Sequence, residues 1–503
     1  MTPAPPGLSV PMPVVDIDLA EPGAFRRPGG RMRIGPSGRA LGLVRLHGRP
    51  LGMAEASGRG PGELWQALAD AALRDFPGAE AAPGAGGAAD PGPRAVPAVA
   101  ASDPGAGGLP AAASSPGPRS RTGVAPAPEI SVIVATRNRV GMLRDCLDSL
   151  LALTYPRFEV IVVDNAPADG STEELIRREY DPLPDGDGTV RKRRPVVRYL
   201  REPVPGLARA HNRGLAAARG RIAAFTDDDT LVDPGWLTAL AAPFLADART
   251  GCVTGLIVPA ELDTEAQVAL ERHGAFAKGY APRTWSLRVP PADPLFPFTA
   301  GRFGSGANMA FRTDLLRELG GFDPATGVGT PAHGGDDLLS FFRVLARGRF
   351  LAYEPAAIVW HRHRRTPEAL EAQAFGYGAG FGAYLAGALV HEPRMLPALL
   401  RRLPGGVRYA MARSRQRAGR DTGPGAGAGA GPAAGPEAES DAGAGAAARA
   451  AASRIARLEL RGLLYGPFGY LRSRRDERRL RRRAAHGSGA RTRPGPQRRG
   501  GRR

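Results

Sequence analysis

Residues 221–236 read RIAAFTDDDTLVDPGW, Arg221 to Trp236, and the rest of the chain is organised around this stretch. Ile222 to Phe225 are apolar and read as a short buried strand. Three carboxylates follow at once: Asp227, Asp228 and Asp229. Asp233 and Pro234 then have the chemistry of an N-cap and a first helical position. The acids are therefore expected in a strand-to-helix loop at the carboxyl end of a strand, where open α/β sheets place their ligands. Adjacent acids repel one another unless something cationic lies between them. A divalent ion with hard oxygen ligands meets that need and commonly holds a substrate diphosphate as well. A solvated, helix-capping turn is the other reading of the same residues.

The flanking sequence favours the first reading. Upstream, ISVIVA (130–135) is an apolar, β-branched run ending in TRNR (136–139), followed by a helical pattern of Met142, Leu143, Cys146, Leu147, Leu150 and Leu151. FEVIVVDNA (158–166) repeats the form and ends in Asp164 and Asn165. STEELIRREY (171–180) opens with a capping box from Ser171 to Glu174, and VVRYL (196–200) is a third strand. GLARAHNRGLAAARG (206–220) predicts a helix with small residues where it meets the sheet. Downstream, CVTGLIVP (252–259) and GANMAFR (306–312) read as strands, and 260–300 as an irregular segment suited to a mobile substrate loop. TDLLRELGGFD (313–323) reads as a capped helix, and HGGDDLLSFFRVLARG (333–348) puts Asp336 and Asp337 in the first turn of another. FLAYEP and AIVWHRHRR close the domain near Arg365. Apolar strands alternating with helices predict a mostly parallel α/β sheet covered on both faces. Polar residues end three successive strands.

Beyond this core the composition changes. Residues 8–77 read as a small α+β module with strands at 14–19 and 40–52 and an amphipathic helix at 62–76, too short for a robust core alone and expected to dock. Residues 78–128 and 413–450 are Ala/Gly/Pro-rich linkers by composition. Residues 366–412 form a helical extension, and five glycines within 374–390 argue against a membrane span. Residues 451–471 mix Leu, Tyr and Phe with Arg. They read equally as an interfacial anchor for anionic lipid and as a helix packed on the catalytic domain. The tail at 472–503 is Arg-rich: from Leu471 onward there are fourteen arginines against Asp476 and Glu477, so most of the formal +19 lies there. Nucleic-acid binding is not expected, because no basic, aromatic fold accompanies the tail. Cys146 and Cys252 read as reduced core residues, and with no secretory or spanning pattern the expected location is cytoplasmic, with peripheral contact to the plasma membrane.

The ordered set SVIVATRNR, VIVVDNAPADGST, ARAHNRGLAAARGRIAAFTDDDTLVDPGWL, GSGANMAFRTDLLRELGGFD and GGDDLLSFFRVLARG resembles family 2 glycosyltransferases of the GT-A fold, over residues 129–365. The resemblance implies an inverting transfer from a nucleotide-diphospho-sugar, assisted by Mg²⁺ or Mn²⁺, to a glycan, lipid-linked or small-molecule acceptor. It implies that Thr136, Arg137 and Asn138 form the first nucleotide loop. Asp164 contacts the base or ribose, with Asn165 and Asp228 on the donor side. Asp227 and Asp229 bind metal, and His361 or His363 completes the shell. Asp336 and Asp337 stand where the family has Glu-Asp, with Asp337 favoured as the base. Two other readings stand beside it: a non-catalytic sugar-nucleotide-binding scaffold, and a nucleotidyltransferase, which would want a Gly-rich, Lys-bearing loop after the first strand.

Overall fold

The structure is a computed structural model, and it describes residues 10–30, 33–76, 127–180, 195–274, 276–402, 404–405 and 436–489. All but the last two residues of the expected 78–128 linker, the 413–435 part of the second linker and the tail beyond 489 lie outside the described residues.

The N-terminal module contains β1 (Val14–Asp18), β2 (Phe25–Arg26), β3 (Arg33–Ile34), β4 (Gly38–Leu46), β5 (Arg49–Gly58) and α1 (Pro61–Asp75). Its sheet runs β3-β2-β1-β4-β5, and Leu64, Leu68 and Ala72 of α1 bury against it. The single strand expected over 40–52 is a hairpin. His47 and Gly48 both take positive φ (50° and 76°), the backbone a two-residue hairpin turn demands.

The main domain follows as β6 (Ile130–Thr136), α2 (Val140–Leu151), β7 (Phe158–Asn165), α3 (Ser171–Leu175), β8 (Val197–Glu202), α4 (Leu207–Ala217), β9 (Ile222–Asp227), β10 (Thr230–Val232), α5 (Trp236–Ala246) and β11 (Thr250–Pro259). It continues with α6 (Glu265–Gly274), β12 (Arg283–Trp285), β13 (Met309–Arg312), α7 (Thr313–Glu318), α8 (Asp336–Ala346) and β14 (Phe350–His361). The large sheet has the order β10-β14-β11-β13-β9-β6-β7-β8, with β12 on β14. One half, β9-β6-β7-β8, is parallel, as the apolar runs predicted. The other half is mixed, because β13 runs antiparallel between β9 and β11. Strand side chains alternate faces. Ile133, Ala135, Ile161, Val163 and Phe225 join the core under α4, α7 and α8, while Val132, Val134, Val160, Val162 and Ala224 join the core under α2 and α5. Gly214 lets α4 approach closely: a Cβ there would lie 2.5 Å from Ile133.

Four local expectations change. The Asp triplet lies in a turn between two strands, β9 and β10, not in a strand-to-helix loop. Asp233 and Pro234 precede α5, whose N-cap is Gly235; the Asp233 carboxylate accepts from the Gly235 N–H and pairs with Arg45. Gly170, not Ser171, caps α3, and no side chain completes a capping box there. Within 260–300 there are α6 and β12, and Trp285, Phe296 and Phe298 are buried in the core, because an aromatic side chain of that size gains more from burial than from a loop in water.

The C-terminal part is α9 (Pro367–His391) and α10 (Pro436–Gly489). Residues 436–450, expected as linker, begin α10; Pro436 sits at its start and an Ala-rich run follows. The glycines of α9 serve helix packing. A Cβ at Gly378 would fall 1.9 Å from the Glu459 carbonyl oxygen, and one at Gly466 would fall 2.3 Å from that of Ala379. Tyr470 donates to Asp323 at 2.8 Å, and Arg209 pairs with Glu477, which fastens α10 to the domain.

The N-terminal module docks on β11 and β14. Met12, Val14 and Leu43 share a core with Leu256, Val258, Ile358 and Trp360. Beside it Arg45 forks onto Asp16 at 2.7 and 2.8 Å and reaches Asp233 at 2.8 Å, all three side chains being nearly buried. Arg45→Met leaves two buried carboxylates facing each other. The expected loss is about 3 kcal/mol of stability or more, read as a lower midpoint in chemical denaturation.

Candidate active site

The site is built where β6, β7, β9 and β14 end. Thr136, the last residue of β6, donates from Oγ1 to Asp228 at 2.7 Å. Arg139, three residues on, reaches Asp228 and Asp229 at 3.1 Å each. The β10–β14 pairing sets Thr230 opposite His361, and the Arg362 N–H donates to the Asp229 carbonyl. That register carries His361 to the Asp turn: its Nε2 lies 3.3 Å from Asp229 Oδ1. Among the described residues, Asp227, Asp229 and His361 offer ligand atoms that all lie within 4.8 Å of one another.

The electrostatics are those of a crowded acidic site. Burial, reinforced by Asp229, pushes the Asp227 carboxyl up to about 7. Burial also pushes Asp229 upward, but His361, Arg364 and Arg139 outweigh it and hold that carboxyl well below the usual range. Asp229 Oδ1 is nevertheless buried without an aligned hydrogen-bond donor, since the His361 contact is close but poorly directed. An orphaned carboxylate oxygen between a second acid and an imidazole suits a hard divalent cation.

The two histidines of HRH have different surroundings. His361 faces Asp229. The His363 Nδ1 lies 3.3 Å from His361 Nδ1, its Nε2 lies 3.0 Å from Glu271, and Phe276 stacks on its ring. His363 is thus placed to orient His361 through Glu271 rather than to join the cluster itself.

On the donor side the residues divide. Asp164 is buried at the end of β7, accepts from the Tyr199 hydroxyl at 3.2 Å and keeps Oδ1 without a partner. Burial pushes its carboxyl upward. Asn165 is spent on the backbone: it donates to Val204 and accepts from Gly206. Asn138 sits at positive φ (56°) and accepts from the Ala168 N–H, closing the first loop, while Arg137 is exposed beside it.

The second acidic pair opens α8. Asp336 is buried, and its Oδ2 lies 3.3 Å from His211 Nδ1 without an aligned hydrogen bond. Asp337 is half-buried and accepts from the N–H groups of Gly306 and Leu338 at 2.8 Å each. Burial, then the neighbouring Asp336, raises the Asp337 carboxyl to about 6. His211, which touches Asp336, also packs edge-on to Phe225 of β9, so the second acidic pair lies beside the strand that ends in Asp227. Arg139, Tyr199, His211, Glu271 and Arg364 contact the expected site residues without being singled out by the sequence. Arg139 was legible as the last residue of TRNR; the others depend on contacts between distant elements.

Residues 131–320 match the family model described as glycosyl transferase family 2. The chain is 28% identical over 239 residues to the pre-mycofactocin glycosyltransferase of Mycobacterium tuberculosis, covering 47% of this chain and 43% of that protein. It is 24% identical over 205 residues to the glucosyl-dolichyl phosphate glucuronosyltransferase of Haloferax volcanii, covering 40% and 57%. The aligned part is therefore about half the length of these curated relatives. Among solved structures, a mannosyltransferase of Pyrobaculum calidifontis in complex with GDP-Man and Mn²⁺ aligns at 21% identity and a TM-score of 0.40, over 67% of this chain and 87% of that one. The family match spans the acidic turn and the strands that carry it, and through this segment the chain is similar to the family 2 glycosyltransferases.

Proposed function

We propose that the chain transfers a sugar from a nucleotide-diphospho-sugar to an acceptor hydroxyl with inversion and metal assistance, in glycan or glycoconjugate synthesis. The observation that carries this reading is the division of labour between two acidic groups: Asp227, Asp229 and His361 clustered as ligands, and Asp337 standing apart as a half-buried carboxylate fixed by two N–H donors. In this reading Asp227, Asp229 and His361 hold Mg²⁺ or Mn²⁺, and His363 orients His361. A divalent ion bound there would offset the negative charge that develops on the departing diphosphate.

The remaining steps belong to the chain's own side chains. Thr136, Arg137, Asn138 and Asp164 line the donor's nucleotide end, and Arg139 braces Asp228 and Asp229. The acceptor hydroxyl attacks the anomeric carbon, the bond to the diphosphate breaks, and Asp337 takes the hydroxyl proton. With no second carboxylate acting as a nucleophile, the displacement is single and the anomeric centre inverts. The glucosyl-dolichyl phosphate in one relative's name is consistent with a lipid-linked acceptor.

The test is calorimetric titration of UDP, GDP, dTDP and ADP with and without Mn²⁺, followed by transfer assays with the nucleotide-sugar that binds. Metal-dependent binding of one nucleotide supports the reading; folded protein that binds none overturns it. His361→Ala abolishes Mn²⁺ binding, whereas His363→Ala weakens it by about 10- to 100-fold, both read by calorimetry. Asp337→Asn lowers kcat by about 10²- to 10⁴-fold while donor affinity is kept. Because Asp337 must be ionised to accept a proton and its carboxyl is raised to about 6, kcat/KM falls as pH drops below that value. An acid limb near the ordinary value of 3.8 would show that the Asp337 carboxyl is not raised, and retention of kcat in Asp337→Asn would show that it is not the base.

A further inference from the structure

The helix α10 has two faces, and its packing on the domain uses one of them. Ile455, Gly462, Gly466, Gly469, Tyr470 and Ser473 are buried against α9 and the loop that leads to Asp336. The outer face carries Leu460, Leu464, Phe468 and Leu471, spaced i, i+4, i+8 and i+11, which is one stripe along a helix. These four side chains are 56%, 74%, 61% and 61% exposed. Single exposed apolar residues are ordinary on any surface; a contiguous apolar stripe over three turns marks a contact surface.

The charges around the stripe say what kind of contact. Arg457 precedes it, Arg461 lies beside its first turn, and Arg472, Arg475, Arg478 and Arg479 follow it, all exposed. Arg475 and Arg478 lie on the line of the stripe itself at helical spacing. An aliphatic and aromatic stripe bounded by guanidinium groups matches the acyl and headgroup boundary of a bilayer with anionic lipids, where the stems lie along the apolar layer and the charged heads reach phosphate. A second copy of this helix would bring like charges together. Nucleic acid would offer the leucines and the phenylalanine nothing to bury against. Among the described residues no helix is long and apolar enough to cross a membrane, so the contact is one of lying on the surface.

We propose that the outer face of α10 docks the protein on a membrane surface bearing anionic headgroups. The inner face of the same helix touches the active-site loop: a Cβ at Gly469 would meet the Pro331 carbonyl oxygen at 2.4 Å, and the Tyr465 and His333 rings lie 6.0 Å apart. Docking therefore brings the bilayer to within about one helix diameter, roughly 10 Å, of the loop that leads to Asp336 and Asp337. This inference does not depend on the proposed reaction.

The test is co-sedimentation of the full chain with vesicles of phosphatidylcholine alone and with roughly a third phosphatidylglycerol. The expected result is binding to the anionic vesicles that weakens as salt is raised. Leu464→Ser/Phe468→Ser lowers the partition coefficient by about tenfold or more, and Arg475→Glu/Arg478→Glu does so by a similar factor. Both variants alter exposed positions, and their thermal midpoints are compared with that of the parent protein. Three outcomes overturn the proposal. The parent stays in the supernatant with both vesicles; the serine variant binds as the parent does, so that the arginine tail alone attracts headgroups; or the serine variant dissociates a parent dimer that binds no vesicles. If either pair of substitutions prevents folding, the other pair decides.

Discussion

Three adjacent carboxylates in one turn, Asp228 and Asp229 buried and Asp227 partly buried, are the constraint that the rest of this structure answers. Like charges out of water are costly, and each needs a cation, a donor or a proton. Asp228 is met by Thr136 from β6 and by Arg139 from the loop beyond it. Asp229 is met by Arg139, His361 and Arg364. Asp227 is left with its carboxyl pushed up toward neutrality. These partners come from the ends of β6 and β14, which are distant in sequence and adjacent only because the sheet places β9 beside β6 and β10 beside β14. A site this incompletely compensated suits a divalent cation.

The second acidic pair follows a different logic. Asp336 and Asp337 are neighbours in sequence at the start of α8, where acids are favoured by the helix dipole. Being consecutive on a helix, they point in different directions. Asp336 is turned inward to His211, which is itself packed between Phe225 and Phe322. Asp337 is turned to Gly306 and keeps its exposure. Gly335, at positive φ (86°), starts the helix under α9, and a Cβ there would meet the Gly380 carbonyl oxygen at 2.3 Å. The glycine-rich helix thus bears directly on the turn that aims the candidate base.

Much of this was legible in the chain. The Asp triplet, the strand ends carrying Thr136 and Asp164, and the acids opening α8 lie where their flanking apolar runs located them, because a buried strand and an amphipathic helix have periods that sequence displays. The family resemblance over 129–365 was carried by the same residues, and the family match at 131–320 falls inside that span. Less legible was the antiparallel β13, since a four-residue apolar strand looks the same in either direction. The turn between β9 and β10 escaped because Asp233–Pro234 imitates a helix start, while Asp233 is in fact committed to Arg45 of the N-terminal module. His361 and His363 could not be told apart, because two residues on the same chain end differ only in what lies across from them: Asp229 for one, Glu271 for the other.

The amino-acid sequence by itself determined the local periods: which runs are strands, which faces of helices are apolar, and where clusters of acids interrupt them. Those are properties of neighbours along the chain. The tertiary structure decided the assignments that depend on neighbours in space. It set His361 rather than His363 beside Asp229, spent Asn165 on backbone groups, turned Asp336 inward and Asp337 outward, and matched the glycines of α9 to those of α10. The physical reason is that hydrogen-bond partners, burial and charge compensation are made across the sheet and between distant helices, and no window of consecutive residues contains them.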